Sequence, residues 1–436
     1  MSHIARMTGF PPCGAPSWAL AEPPSWRGFA AATIWWQPGD VLAFDFANSR
    51  YMREGETASL GAVLSASRTS PATWFTDAGI LQPFDANIPA ITDRGLYVGE
   101  QRTNLVPYSQ VFDSWSKTET SAVTPNAGTA PDGTVTADKL FDPTVGTVTC
   151  RLAVTVSVAS STNYTYSCLV KPSGASWVYL APGGGLVLGG GSTWFDVENG
   201  VVGTVSAGIS ASSVTALADG WYRVSVTFTS LPSSAGARVI YIAAVDADNS
   251  VTLPSDGTNG VLLWGAQLEA GSFASPPIVT AGASATRLAD NLTIPDFAAL
   301  ASAFGFGSGF AGEAIVNLTR LDGTTRAIYS AGIGNNDFLH LRIESTNAIA
   351  MFARAGSGTV FTLATTAPIT TTGIKKIEFA FVPSGGGYLK VTGLAPLTGL
   401  GTFTMPPLNG ARIGASVGSA YTPLNDPIQR LQQWAV

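Results

Sequence analysis

Apolar and polar side chains alternate along most of this chain in runs too short for helices. Cys150-Arg-Leu-Ala-Val-Thr-Val156, Tyr164-Thr-Tyr-Ser-Cys-Leu-Val170 and Tyr222-Arg-Val-Ser-Val-Thr-Phe228 alternate in character, and Trp177-Val-Tyr-Leu180 and Val239-Ile-Tyr-Ile242 add short β-branched and aromatic runs. The alternation has the period of a half-buried strand. With Thr136–Leu140, Thr193–Val197 and Val261–Trp264 they make about eight strands between residues 103 and 285, punctuated by Gly, Pro, Ser or Asn. Such spacing predicts a two-sheet sandwich. Strands resume at Gly312–Leu318, Arg326–Ser330, Phe338–Ile343, Ala348–Phe352, Lys376–Phe381 and Tyr388–Val391, predicting a second sandwich over 296–436. One short helix is expected at Asp296–Phe304, with Asp296 as its N-cap. Upstream, Val41-Leu-Ala-Phe-Asp-Phe46 reads as a strand and Asp77-Ala-Gly79 as a tight turn. Residues 1–40 show little periodicity. The expected fold is all-β: two tandem β-sandwich domains, 103–285 and 296–436, follow an irregular Trp/Pro-rich region, 1–102. Ala281–Asp290 reads as a small-residue linker.

Composition sharpens this picture. Charged residues are 12% of the chain, about half the usual share, so long solvated helices lack their outer faces. The chain contains 48 Gly and 27 Pro, which suits short strands and turns. No apolar run reaches the roughly 18 residues of a membrane span, so no membrane insertion is expected. A net charge of −6 without a basic patch argues against nucleic acid. Met1-Ser-His-Ile-Ala-Arg6 lacks the pattern of a secretory signal. Cys13, Cys150 and Cys168 form neither a disulfide framework nor a metal motif. Cys150 and Cys168 read most simply as two buried thiols, with adjacent strands as their alternative placement. Trp18, Trp26, Trp35 and Trp36 crowd a loop-like segment. They either cover their own domain or pack against another subunit or assembly.

Catalytic patterns are missing. His3 and His340 are the only histidines, and there is no Gly-x-Ser-x-Gly elbow. The runs Gly183–Gly185, Gly189–Gly191 and Gly385–Gly387 are not phosphate loops, since no Lys-Ser or Lys-Thr follows, and they read as hairpin tips. No strand carries Glu-x-Asp-x-x-Glu, and Asp246-Ala-Asp248 reads as a polar loop. No enzymatic activity is expected. Sugar recognition needs aromatic faces and a few polar groups. Trp177, Tyr179, Trp194 and Tyr241 are candidates, and period two puts Trp177 and Tyr179 on one face. For any single ring, core packing is the commoner fate.

Three segments add a resemblance: Arg102-Thr-Asn-Leu-Val-Pro-Tyr-Ser-Gln-Val-Phe-Asp-Ser-Trp115, Asp219-Gly-Trp-Tyr-Arg-Val-Ser-Val226 and Leu263-Trp-Gly-Ala-Gln-Leu-Glu-Ala-Gly-Ser272. They resemble strands of the jelly-roll, carbohydrate-binding-module-like domain of bacteriophage spike, fibre and minor structural proteins. Ser67–Leu105 resembles a pattern found upstream of that domain in phage proteins, and Thr286–Asp290 is familiar after it. Ala411–Ala415 and Leu424–Trp434 are similar to the close of concanavalin-like or laminin-G-like sandwiches, with Asp426-Pro427 where Gly is common. The resemblance implies jelly-roll sandwiches with Trp221 and Trp264 in the core. It implies no required cofactor; modules of this type often hold one structural calcium ion, for which the candidates here are Asn104, Asp113, Gln267 and Glu269. It further implies a homo-oligomeric, non-catalytic spike or fibre of a tailed phage or gene-transfer-agent-like particle. Such a protein is made in the bacterial host cytoplasm and exposed on the virion. It joins capsid or tail proteins through its N-terminal region and binds host surface polysaccharide. The alternative is a purely architectural capsid-decoration or tail protein without a glycan ligand. A secreted polysaccharide-active enzyme is a third class, for which no carboxylate pair is legible.

Overall fold

The computed structural model describes residue 36 and residues 39–183, 185–356, 358–417 and 422–436. It is almost entirely β. The chain divides into two compact units. One is continuous, Ala66–Asp290; the other joins the residues through Ser65 to Asn291–Val436. The boundaries therefore differ from the expected 1–102, 103–285 and 296–436. Residues 66–102 fold with the first sandwich, and residues 40–58 supply strands to the second. Trp18, Trp26 and Trp35 lie outside the described residues, as do Cys13 and His3; Trp36 is half-buried.

The Ala66–Asp290 unit is built on two six-stranded sheets. In the first, the order is Ser116–Lys117, Cys150–Val158, Gly236–Val245, Trp177–Pro182, Thr193–Asp196, Val201–Val205. In the second it is Ala122–Gly128, Ala137–Phe141, Gly260–Ala270, Asn163–Ser173, Tyr222–Thr229, Ile209–Ala216. Leu152, Val178, Leu180 and Ile242 of the first sheet share one buried cluster with Tyr166, Val170, Val226 and Leu263 of the second. Cys150 and Cys168 are free and buried in that cluster. They come from opposite sheets rather than adjacent strands, because Cys150–Val158 and Asn163–Ser173 part company at the intervening turn. Burial pushes both thiols up to about 12.

Gly260–Ala270 breaks its alternation at Gly265, where φ is +63° and the register with Asn163–Ser173 shifts. This bulge lets Leu263 and Leu268 both face the core although their numbering parity differs. The opposite face of the second sheet is also covered. Phe75 and Leu81, from the hairpin around Asp77-Ala-Gly79, pack there with Leu169, Trp221 and Trp264. Gly79 has φ +82°, as the tight turn requires. Trp221 donates to the Thr129 carbonyl at 3.2 Å and Trp264 to Thr136 Oγ1 at 3.1 Å, so each indole N–H is satisfied.

Ala281–Asp290 is not a linker. Ala285–Arg287 pairs with Arg102–Asn104, and Asp290 is a buried anchor. Its Oδ1 accepts from Arg68 at 2.5 Å. Its Oδ2 accepts from the Gly99 amide at 2.8 Å and from Arg287. Arg68 also donates to the carbonyls of Ser70, Asp85 and Ile88. First and last turns of the unit are thus clasped by charge-assisted hydrogen bonds out of water.

The other unit is also two-layered. One sheet runs Glu56–Ala58, Arg50–Arg53, Asp40–Asp45, Pro427–Ala435, Phe310–Leu318, Gly373–Val382, Gly386–Val391, Leu397–Gly399. The other contains Gly358–Ala364, Ile349–Ala355, Phe338–Ile343, Arg326–Gly332, Gly410–Ile413 and Asn291–Thr293. Phe310 of the first meets Tyr329 of the second edge-on at 6.3 Å, inside a group with Phe379 and Phe381. Such tilted contacts suit the ring quadrupole. The expected helix forms at Phe297–Ala303, but Asp296 makes no side-chain cap; it sits in the left-handed region at φ +51°, which takes its carboxylate out of capping geometry. Gly385 lies in the tip of the hairpin joining Gly373–Val382 to Gly386–Val391, as expected, whereas Gly387 is already in the strand, where a Cβ would stand 2.5 Å from the Phe361 ring. Asp426 is fully buried against Arg326 and Thr319. The departure from Gly there is an ion-pair anchor.

Candidate functional site: an aromatic cleft

The first sheet of the Ala66–Asp290 unit turns one face to the core. Its other face carries all four ring candidates. Cross-strand register sets Arg151 opposite Ala243, Ala243 opposite Tyr179, and Tyr179 opposite Trp194. A parallel row holds Ala153, Tyr241 and Ala181. The second row alternates small and large side chains, while in the first Tyr179 and Trp194 stand side by side. Tyr179 and Trp194 meet at 5.6 Å with a 48° tilt. The Arg151 guanidinium lies 4.8 Å from the Tyr241 ring centroid, in cation–π range.

Above this face lies a cleft of about 340 Å³, at the low end for small-ligand sites. Arg151, Tyr179, Trp194 and Tyr241 line it, and Gly183, Gly190, Gly191 and Ser192 of the glycine-rich loop form its rim. This loop is more than a hairpin tip. A Cβ at Gly183 would stand 2.4 Å from the Val239 carbonyl oxygen and 3.0 Å from the Tyr241 ring. Glycine there lets the backbone close on the ring.

Electrostatics set the character of the cleft. Burial pushes the Tyr179 phenol up, partly offset by the Arg151 hydrogen bond and charge, so the ring is neutral at physiological pH. Arg151 Nε also reaches Thr118 Oγ1 at 3.3 Å. Among the described residues lining the cleft, Arg151 alone carries charge at neutral pH, and none is a carboxylate. Trp194 donates its indole N–H to the Ser250 carbonyl at 2.5 Å, which fixes the ring. Tyr179 and Trp194 are only 4% and 7% exposed; they form walls rather than a protruding platform. Trp177, on the same face and half-buried, packs beside them without lining the cleft.

Sequence reasoning found the rings but missed Arg151 and the glycine rim. Alternation of Cys150–Val156 already places Arg151 on the outward face; its neighbours two strands away are set only by pairing.

The residues considered for calcium do not fit that ion. Asn104 uses its amide fully: Nδ2 donates to the Ala266 and Ile278 carbonyls, while Oδ1 accepts from the Val106 and Leu268 amides. Gln267 donates to Glu269 Oε1 at 2.6 Å and accepts from Ile278 N at 2.7 Å. Glu269 also accepts from the Ser275 amide and hydroxyl. These three seal the 275–278 segment onto the sheet, and their oxygens are already committed to protein donors. Asp113 is exposed in the separate turn Phe112–Ser114. Calcium asks for six to eight oxygens. Among the described residues no group of three or more His, Cys, Asp or Glu is placed to hold a metal ion. Asp246 and Asp248 are exposed, and Asp248 accepts from Thr204.

No family model matches the chain. No curated protein matches it in sequence. Among solved structures it is similar to the carbohydrate-binding module CBM40 of a Ruminococcus gnavus IT-sialidase, at 15% identity and a TM-score of 0.26, over 31% of this chain and 80% of that one. The same module has been solved bound to alpha2,6 sialyllactose. The chain is also similar to domains LG4-5 of the mouse laminin alpha1 chain, at 9% identity and a TM-score of 0.26, over 80% of this chain and 93% of that one. Overlaps at this level define no shared fold, and the cleft itself carries the functional reading.

Proposed function

We propose that the protein binds glycans in the aromatic cleft and acts as a non-catalytic attachment protein on the surface of a tailed phage or phage-like particle. The observation that carries the glycan reading is the row Arg151–Ala243–Tyr179–Trp194, which joins rigid ring walls to a polar rim over a cleft of saccharide size. Aromatic walls recognise the apolar faces of sugar rings, and fixed polar groups choose among hydroxyl patterns. A carboxylate pair, which glycoside hydrolysis normally uses, is not part of the described lining. The particle assignment rests on the resemblance of residues 67–105 and of the segments around Trp115, Trp221 and Trp264 to phage structural proteins. On this reading the protein is made in the host cytoplasm, assembles in several copies, and is displayed outward. Many weak sites then gain avidity without new contacts.

The test is binding of the full chain, multivalently displayed, to candidate host cells before and after enzymatic removal of surface polysaccharide. Loss of binding on stripping, with a tenfold or greater weakening by Trp194→Ala, supports the reading. Equal binding to stripped cells, or no binding in any multivalent form, overturns it. One observation favours the architectural alternative: Tyr179 and Trp194 are nearly buried, as rings filling a surface hollow for stability alone would be. In that case Trp194→Ala lowers stability and changes no ligand binding.

A further inference from the structure

We infer that the cleft selects an acidic sugar, with Arg151 as the residue that receives the carboxylate or sulfate. The inference rests on the glycan reading above and adds the ligand's charge class. Three observations carry it. Arg151 is the sole charged side chain among the described lining residues. Among the described residues it has no carboxylate at ion-pairing distance, whereas Arg68, Arg102, Arg287 and Arg326 each have one. Its guanidinium is held in place by neutral contacts alone: the Tyr241 face, the Tyr179 hydroxyl and Thr118 Oγ1.

A planar guanidinium fixed by neutral groups at the wall of an aromatic cleft keeps its charge uncompensated. It presents forked donors, the geometry that takes a carboxylate or sulfate through two parallel bonds. A neutral sugar would leave that charge without a counter-ion when the cleft is filled, which lowers affinity. The chain as a whole carries −6, so long-range steering does not favour an anion. The preference comes from the local contact, and salt weakens it only modestly while the pair stays desolvated.

The experiment probes the full chain on an array of neutral, uronic-acid-containing and sulfated oligosaccharides. The best acidic ligand and its carboxyl-reduced or desulfated parent are then titrated by calorimetry. The acidic form is expected to bind about ten- to a hundredfold more tightly, the range of a charge-assisted hydrogen-bond pair. Arg151→Gln brings the acidic ligand and its neutral parent to equal affinity, and Arg151→Lys restores part of the difference. Thermal unfolding of both variants reports whether the sheet is intact, and the lysine variant keeps the test decisive if the glutamine variant is unstable. Equal affinity for acid and parent, or a preference that survives Arg151→Gln, overturns the inference and leaves the glycan reading standing. Absence of binding to every sugar, neutral or acidic, overturns both.

Discussion

Asp290 is the position whose loss is expected to damage the Ala66–Asp290 unit most. Its side chain and that of Arg68 are each 1% exposed, and Arg287 is 3% exposed. One carboxylate serves two guanidiniums and the Gly99 amide. Asp290→Ala leaves both cations and a backbone N–H buried without that acceptor. Removing one partner of a buried ion pair costs about 3–5 kcal/mol, and an orphaned amide adds roughly 1–3 kcal/mol. These terms overlap, because freed arginines draw in water, so the expected loss is about 4 kcal/mol. For a unit of this size that is a fall of roughly 8–16 °C in its transition. Two units need not unfold together. The assay is therefore native-state hydrogen exchange under mild denaturant, followed at Cys150–Val158 and Gly260–Ala270 for this unit and at Phe310–Leu318 for the other. A drop below about 1 kcal/mol in the first set would refute the reasoning. Arg68→Met with Asp290→Leu isolates coupling: the pair should lose less than the sum of its single changes.

Three further outcomes follow from the same geometry. Burial, with Arg342 nearby, pushes His340 down to about 3, so it stays neutral in the fold while the unfolded chain takes up a proton below about 6.5. Its share of stability is present above 6.5 and falls as pH drops toward 3, by up to about 1.4 kcal/mol per unit; denaturation of His340→Gln from pH 7 to 4 should show a shallower slope, and an unchanged slope contradicts this. Cys150 and Cys168, buried and pushed up to about 12, should resist a thiol reagent until denaturant is added; rapid labelling of either in the native protein would contradict their placement. Gly265→Ala puts a Cβ 2.9 Å from Leu169 at φ +63° and should cost about 1–3 kcal/mol, read as a lowered urea midpoint.

Period-two alternation made much of the first sandwich legible. Cys150–Val156, Tyr164–Val170, Trp177–Leu180 and Tyr222–Phe228 all fall inside observed strands. Ile209–Ala216 and Val201–Val205 went unread because their outward Ser, Ala and Gly give little contrast. Pairing was harder. Val41–Phe46 looked like a strand, but nothing local tells it to lie beside Pro427–Ala435. The oxygen-bearing residues of the resemblance were visible as a spaced pattern, yet hydrogen-bond satisfaction decides their role. Asn104, Gln267 and Glu269 have their oxygens taken by protein donors, a matter of three-dimensional neighbours. Likewise the rings of the cleft were nameable one by one, while Arg151 joins them only through two successive strand registers.

The discontinuous unit has a consequence for the timing of synthesis. Asp40–Asp45 pairs on one side with Arg50–Arg53, a few residues on, and on the other with Pro427–Ala435. At about 5–20 residues per second the ribosome needs roughly 20–80 s to make the intervening chain. During that interval the whole Ala66–Asp290 unit emerges and can close. Val41, Leu42, Ala43 and Phe44, at most 1% exposed in the end, wait meanwhile on an open strand edge. An edge of that composition invites pairing with other nascent chains. Yield in a heterologous host should therefore depend on how crowded each message is with ribosomes and on chaperones that shield this early hairpin, more than on the intrinsic stability of either unit.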